Sequence, residues 1–465
     1  MPAATPRTTN VPSTLMIPVE NQVRELDAKL FLGCVAAERG YPVVLGSRAF
    51  LHYQVDRIPA GVYLAKSMRT LSERMFGILQ NLGHDIVGFD EEALVRRPDE
   101  EFYKLRVSAQ ALNRMRMVLA WGEDDARVFR EFSGNRGVPV TVTGNPRIDL
   151  MRPELTGFYD REVAQIKAQY GNFVLINSNF GGANHFLDAM SDVKQLATGQ
   201  VGKDDTDYMV EWSKFRYALF GEFKRMLPAL AARVPNVNLI LRPHPSESHE
   251  QWRELAAPYA NVQVVNEGSV FPWLMAASAM IANGCTTTIE SWMLQTPSID
   301  YAPLTDARYD EPLPQALGIS CATVESLAEL VLQAAAGTLA FRDDRVSRDA
   351  ARQYFHALDG RFASDHMIDV LDDLGYRQAA PVPVAWRSRL LGRLHNRGRT
   401  ATKRFNMGRV GHRNHISYHD HRFPAVSVPE LRARIQRFAA LTGRFEGVHI
   451  AQRDQHVWEM SGNHG

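Results

Sequence analysis

The chain has 465 residues, 45% of them hydrophobic and 23% charged, with 53 Lys and Arg against 52 Asp and Glu. That balance belongs to a soluble globular protein of two or three domains and excludes low-complexity and disordered classes. Cys34, Cys285 and Cys321 are far apart with no CxxC pair, which argues against a disulfide framework or a zinc site and fits a reducing cytoplasm. No stretch approaches the ~20 apolar residues of a membrane span and the first ten residues lack an apolar signal core, so a cytoplasmic location is expected.

Residues 1–13 read as disordered. A strand at 14–20, a helix at 21–40 ended by Gly40 and a second strand at 41–46 make a βαβ unit that opens a doubly wound sheet. Glu20, Arg24 and Glu25 follow the first strand on the ligand side of such a sheet, although an i, i+4 Glu20/Arg24 surface pair is the bland alternative. Strands at 61–64, 85–89, 117–123 and 140–143 continue the alternation, with helices at 72–81 and 124–132, and Glu123 stands at a strand end. The segment Gly144-Asn145-Pro146-Arg147-Ile148-Asp149 turns away from this half, placing an N-terminal domain at 14–155.

A second domain is expected over 165–375. Its first strand, 173–176, exits into Asn177-Ser178-Asn179-Phe180-Gly181-Gly182-Ala183-Asn184-His185, where small and amide residues let the backbone approach a ligand; a plain Gly-rich loop is the alternative. A helix over 205–234 precedes the strand that ends in Arg242-Pro243-His244-Pro245. The two prolines fix their own φ and hold Arg242 and His244 at the strand exit. A strand at 262–265 runs into Glu267-Gly268-Ser269. The strand ending at Ala282 leads through Asn283-Gly284-Cys285 into Thr286, Thr287, Thr288 and a helix carrying Glu290. A helix start with unpaired N–H groups and added hydroxyls is a seat for phosphate, whereas one Thr alone would be only an N-cap. Strand 297–301 and helices over 324–337 and 346–374, broken near Gly360, complete this part.

The net charge of +1 conceals a basic stretch. Residues 381–425 hold ten Lys and Arg and one acid, Asp420, a net +9 that leaves −8 on the remainder. Such a segment in a mostly helical extension, 376–465, suits a polyanionic surface, either anionic lipid head groups or nucleic acid, or a helix packed on acidic patches of its own protein. A last helix at 428–441 precedes a short strand near Val448. His412, His415, His419 and His421 lie in this segment; the i, i+4 pair His415/His419 could ligate a metal, but none is expected so far from the strand exits. No Walker loop, GxGxxG turn, GxSxG elbow or HExxH is present, which removes the main support for P-loop kinases, dinucleotide oxidoreductases, α/β-hydrolases and zincins.

The Arg242–Pro245 tetrad, the threonine helix start, the Gly144–Asp149 turn and the Asn177–Phe180 exit together resemble the bacterial surface carbohydrate biosynthesis proteins. These are similar to the GT-B enzymes that include CDP-glycerol glycerophosphotransferases, capsule Kdo transferases and polysialyltransferases, and the likeness covers roughly residues 14–374. It implies an α/β fold of two Rossmann-like, doubly wound parallel-sheet domains facing a cleft, and a CMP- or CDP-activated donor held by the second domain. Arg242 and His244 would neutralise phosphate, Thr286–Thr288 would cradle it with Asn177 and Asn179 nearby, Glu267, Gly268 and Ser269 would face ribose or base, and Glu290 would support them. No metal or cofactor is needed for that charge. A glycan or glycolipid acceptor would meet Arg24, Glu25 and His185, with Glu20 or Glu123 as base or nucleophile. A Kdo-like transfer leads, with the basic segment 381–425 leaning on the anionic inner membrane and no nucleic acid expected; a CDP-glycerol polyol-phosphate transferase, a UDP-sugar 2-epimerase and an inactive export scaffold are the alternatives.

Overall fold

The computed structural model describes residues 12–95, 98–202, 206–409 and 415–463. The chain divides into two compact units, one built from the chain up to Phe158 and again from Arg352, the other from Tyr159–Ala351. In chain order the first unit holds strands β1 (Thr14–Val19), β2 (Val43–Ser47), β3 (Gly61–Ala65), β4 (Asp85–Gly88), β5 (Met117–Ala120) and β6 (Val140–Val142). The second holds β7 (Phe173–Asn177), β8 (Asn238–Arg242), β9 (Val262–Val264), β10 (Ala279–Ala282), β11 (Ser298–Tyr301) and β12 (Ile319–Cys321). The chain then returns to the first unit for β13 (His449–Asp454) and β14 (Val457–Ser461).

The first sheet has the order β13-β14-β2-β1-β3-β4-β5-β6 and the second β12-β11-β10-β7-β8-β9. All pairings in the second sheet are parallel, and the first is parallel except for the β13–β14 hairpin and its contact with β2. Parallel strands joined by helices are covered on both faces, which is why β1, β7 and β10 read as unbroken apolar runs. In the second unit Val174, Ile176, Leu239, Leu241 and Ile281 pack against Leu219, Phe223, Leu227 and Leu230 of helix Asp207–Arg233. The alternate residues Phe173, Leu175, Ile240 and Met280 pack against Ile166, Tyr170, Trp273 and Leu274. Each such side chain contributes about 1.5–3 kcal/mol on burial.

Both sheets reverse their winding beside the first strand. The chain runs β7-β8-β9 outward on one side and β10-β11-β12 on the other, and likewise β1-β2 against β3 to β6. The crevices between β7 and β10, and between β1 and β3, are therefore the topological switch points where an open α/β sheet receives ligands at its carboxyl ends. The expected two-sheet α/β fold is the fold found.

One local expectation differs. Ser13, expected in a disordered leader, is buried, and its hydroxyl donates to the carbonyl of Ala379 at 2.9 Å; residues 1–11 and His412 lie outside the described residues. The helical stretch over 346–374 is broken around Gly360 as expected, into Arg345–Tyr354 and Ala363–Asp373. The Gly144–Asp149 turn locks the second of these in place. Asn145 caps its own short turn, and the Asp149 carboxylate accepts from the backbone N–H of Ala363 (2.7 Å) and Ser364 (2.9 Å) and from the Ser364 hydroxyl (2.7 Å). Residues 352–465 belong to the same unit as the N-terminal sheet: Phe31 of helix Gln22–Glu38 is ringed by Phe362, Phe438 and Phe445 at 5.1–5.5 Å between centroids.

Candidate functional site

In the second unit the predicted residues come from four neighbouring strand ends, β10, β7, β8 and β9. Asn177 closes β7 opposite Arg242 of β8. Two loops meet there because Gly181 has no side chain: a Cβ at that position would stand 2.0 Å from the Ser246 hydroxyl. Their common anchor is Glu247, which sequence reasoning missed. Oε1 accepts from the Ser178 hydroxyl (2.8 Å), the Phe180 N–H (2.9 Å) and the His244 N–H (3.1 Å), while Oε2 accepts from the Trp252 indole (2.9 Å). Burial pushes this carboxyl up, and the four donors oppose that shift.

His244 itself is oriented by its neighbour. Its Nδ1 lies 2.7 Å from the Ser246 hydroxyl and accepts from the Ser246 backbone N–H at 3.2 Å, which leaves the imidazole proton on Nε2. Arg242 is buried and turned toward the next loop. It donates to the carbonyls of Glu267 (2.7 Å) and Gly268 (3.1 Å), and its guanidinium lies 5.0 Å from the centre of the Trp273 ring. Burial draws the guanidinium down to about 10. The bonds of Arg242 shape the Glu267–Gly268 loop, and Ser269 accepts from the Phe271 N–H at 3.4 Å to cap the following helix.

At the β10 exit the cap of helix Thr286–Met293 is Cys285, not a threonine. Its sulfur accepts from the Thr287 N–H at 3.5 Å and lies 2.7 Å from the Thr287 hydroxyl. The Thr288 hydroxyl and the Asn177 amide nitrogen are both buried without a hydrogen-bond partner. Two orphaned polar atoms beside one switch point are costly unless a ligand or water meets them. Across the same crevice the Asn179 amide donates to the Asn283 carbonyl at 2.9 Å. Arg216, from the middle of helix Asp207–Arg233, donates to the Asn179 side-chain oxygen (2.7 Å) and carbonyl (3.1 Å) and to Asn283 (3.4 Å), with Phe180 beneath it. No motif pointed to Arg216, because only tertiary packing brings mid-helix residue 216 to a strand exit. Glu290 is buried on the same helix as the threonines, and His185 Nδ1 lies 3.0 Å from the Leu187 N–H, on the loop after β7.

The first unit gathers charges at its own switch point. Glu20 pairs with Arg48 (3.1 Å), Lys66 (2.9 Å) and Arg422 (3.0 Å); Glu25 pairs with Lys29 (2.8 Å) and Lys66 (2.9 Å) and accepts from the Glu20 N–H (2.9 Å). Burial would raise both carboxyls, but these cations outweigh it and hold them well below the usual carboxylate range. Arg24 stands 3.7 Å from Glu92. Glu123 is elsewhere: it is exposed, pairs with Arg130 at 3.0 Å, and follows β5, three strands from β1, or about 14 Å at ordinary strand spacing. Glu20 and Glu123 therefore cannot serve one reacting atom together.

Helix Ile416–Arg422 covers the β1 and β2 exits and leaves a cavity of about 130 Å³ lined by Glu20, Arg48, Tyr53, Lys403, His415 and Arg422 among others. His415 caps its own helix through Ser417. Among the described residues, His419, Asp420 and His456 form one group with ligand atoms close enough for a metal, within 4.8 Å of one another. His419 Nε2 also lies 2.9 Å from the Ser47 hydroxyl.

No family model and no curated protein sequence matches the chain. Solved structures share its architecture at low identity. The wall teichoic acid polymerase TagF is 10% identical with a TM-score of 0.50, covering 78% of this chain and 89% of that one. A UDP-GlcNAc 2-epimerase from Methanocaldococcus jannaschii is 12% identical with a TM-score of 0.47, over 77% of this chain and 99% of the other. Anabaena HepE, solved with UDP and glucose, is 10% identical with a TM-score of 0.39, over 78% and 99%. The fold of this chain is that of the GT-B group: two Rossmann-like parallel sheets with helices.

Proposed function

We propose that the chain is a GT-B glycosyltransferase that moves a Kdo-like nonulosonic sugar from a CMP-activated donor onto a bacterial surface polysaccharide or lipid-linked glycan. The observation that carries the donor site is the pair of orphaned buried groups, Asn177 Nδ2 and Thr288 Oγ1, beside the start of helix Thr286–Met293 at the β7/β10 switch point. A phosphate seated there would take hydrogen bonds from Thr286, Thr288 and Asn177. His244, with its proton on Nε2, would donate as the sugar–phosphate bond breaks and charge develops on the leaving oxygen. These hydroxyl, amide and imidazole donors would meet that charge with no metal assigned to the site.

Arg242 and Glu247 act one step back, holding the ribose-side loop and the His244 loop in place. Glu267 to Ser269 face the nucleoside, Glu290 supports the threonines, and Arg216 with Asn179 closes the crevice floor. On the acceptor side, a Glu20 carboxylate held by three cations is too weak a base near neutral pH. It remains ionised, as a nucleophile or charge-stabilising group must be. Arg24 is assigned to the sugar carboxylate and His185 to the acceptor, Glu25 holds Lys29 and Lys66 beside Glu20, and residues 381–425 are assigned to an anionic membrane surface.

Calorimetric titration with CMP, CDP and UDP tests the donor class. CMP is expected to bind; UDP binding with none for CMP would turn the assignment to a UDP-sugar 2-epimerase, and CDP alone to a polyol-phosphate transferase. His244→Ala is expected to lower turnover of a CMP-activated sugar by about 100-fold or more. A wild-type chain without any turnover would be an export scaffold.

A further inference from the structure

Helix Trp386–Met407 shows its apolar side to solvent. Trp386, Leu390, Leu391, Leu394 and Phe405 are 70%, 49%, 46%, 58% and 72% exposed. Positions 386, 390, 394, 401 and 405 recur at helical spacing, so Trp386, Leu390, Leu394, Ala401 and Phe405 form one stripe with Leu391 at its border. The opposite side does the packing. Gly392 and Asn396 are buried, a Cβ at 392 would stand 3.1 Å from Asn81 and Leu82, and the Asn396 amide donates to Asp56 at 3.2 Å. The helix is thus held by its inner face, and the stripe is a fixed outward feature.

Arginines edge this stripe on both sides. By helical spacing Arg393, Arg397 and Arg404 fall on one border and Arg387 on the other, and Arg409 follows just past the helix end. The Arg387 guanidinium lies 5.5 Å from the centre of the Trp386 ring, and that of Arg409 lies 5.9 Å from the Phe405 ring. From 381 to 419 the sequence contains no Asp or Glu. A tryptophan, leucines and a phenylalanine between rows of arginine match the two layers of an anionic bilayer surface, phosphate outside and acyl chain beneath.

We propose that this face lies in the interface of an anionic lipid bilayer, with Trp386, Leu390, Leu394 and Phe405 among the upper acyl chains and the arginines at the phosphates. The inference rests on the lipid-surface assignment made above and changes its basis, because insertion of a defined apolar stripe carries the binding and charge alone does not. A second copy of the chain fits less well, since it would press two arginine-edged faces together with no acid to pair them. A nucleic acid would meet bulky hydrocarbon where its phosphates need cations.

The test is sedimentation of the full chain with vesicles, either phosphatidylcholine alone or an equal mixture with phosphatidylglycerol, at low and high salt. Wild type is expected to bind the mixed vesicles, to bind phosphatidylcholine at least about tenfold more weakly, and to retain part of its binding at high salt, since apolar insertion is not screened. Leu390→Ser/Leu394→Ser is expected to lower binding by about tenfold or more with an unchanged melting temperature. Four results would overturn the proposal: no binding of wild type to mixed vesicles, full binding by the double variant, a wild-type dimer that the double variant abolishes, or RNA that displaces the vesicles. Sugar transfer to a soluble acceptor separates the two assignments. A double variant that loses vesicles but keeps turnover supports both, and a wild type with no turnover leaves the vesicle result standing.

Discussion

Asp300 lies one residue before the end of β11, nearly fully buried, and accepts a hydrogen bond from the Gly284 N–H at 3.2 Å, beside the β10 exit. Burial, reinforced by Asp310, pushes its carboxyl from 3.8 up to about 6. Between those values the folded chain keeps a proton that the unfolded chain has released, so stability falls as pH rises through this window and is flat above it. Asp300→Asn keeps the acceptor for Gly284 and removes the titration. The variant is expected to show a shallower loss of stability from pH 4 to 6, and to exceed wild type at pH 7 by on the order of 1–3 kcal/mol. Urea unfolding midpoints across that range measure it; parallel pH profiles for the two proteins would refute it. Asp149, pushed up to about 7 in the other unit, keeps its own slope in both.

The loops after β7 and β8 behave as one element because each supplies what the other lacks. Glu247 gathers donors from both, and the Ser246 hydroxyl sits where a side chain at 181 would be. Gly181→Ala would drive that hydroxyl away from His244 Nδ1 by a side-chain rotation, with little cost to the fold. Turnover is expected to fall by about tenfold with nucleotide affinity nearly kept, and Ser246→Ala should match it; a Gly181→Ala chain with wild-type turnover would show that the Ser246 contact does not position the imidazole. Much of this was legible beforehand. Strand exits, the prolines around His244 and the threonine helix start are local signals, and the structure places them on adjacent strands. Glu247 and Arg216 were not legible, since a lone buried acid after a Pro-His-Pro turn and an arginine inside a helix carry no local pattern. The Gly144–Asp149 turn was legible as a motif, yet its Asp149 bonds reach residues more than two hundred positions later.

At the scale of the molecule the least legible feature is the return of the chain. A basic composition from 381 to 425 pointed to an extension, because charge counts carry no information on which strand edge a later hairpin will find. In the structure β14 pairs antiparallel with β2, matching Val457 to Gly46 and Met460 to Val43, and β13 closes outside it. Val457, Trp458 and Met460 are buried there, and Ile450 with them. The hairpin thus supplies core as well as cover for what would be an open edge of a parallel sheet. Ending the chain after Gly443 is expected to remove several buried side chains, each worth about 1.5–3 kcal/mol, and to bare the β2 edge. The truncated protein should aggregate or unfold at markedly lower urea than the full chain. Since the β7/β10 crevice belongs to the other unit, calorimetric binding of the nucleotide should persist in whatever fraction stays soluble. A truncated chain as stable as wild type would mean that the sheet closes at β2 without the hairpin, and that residues 444–465 are an appendage and not part of the fold.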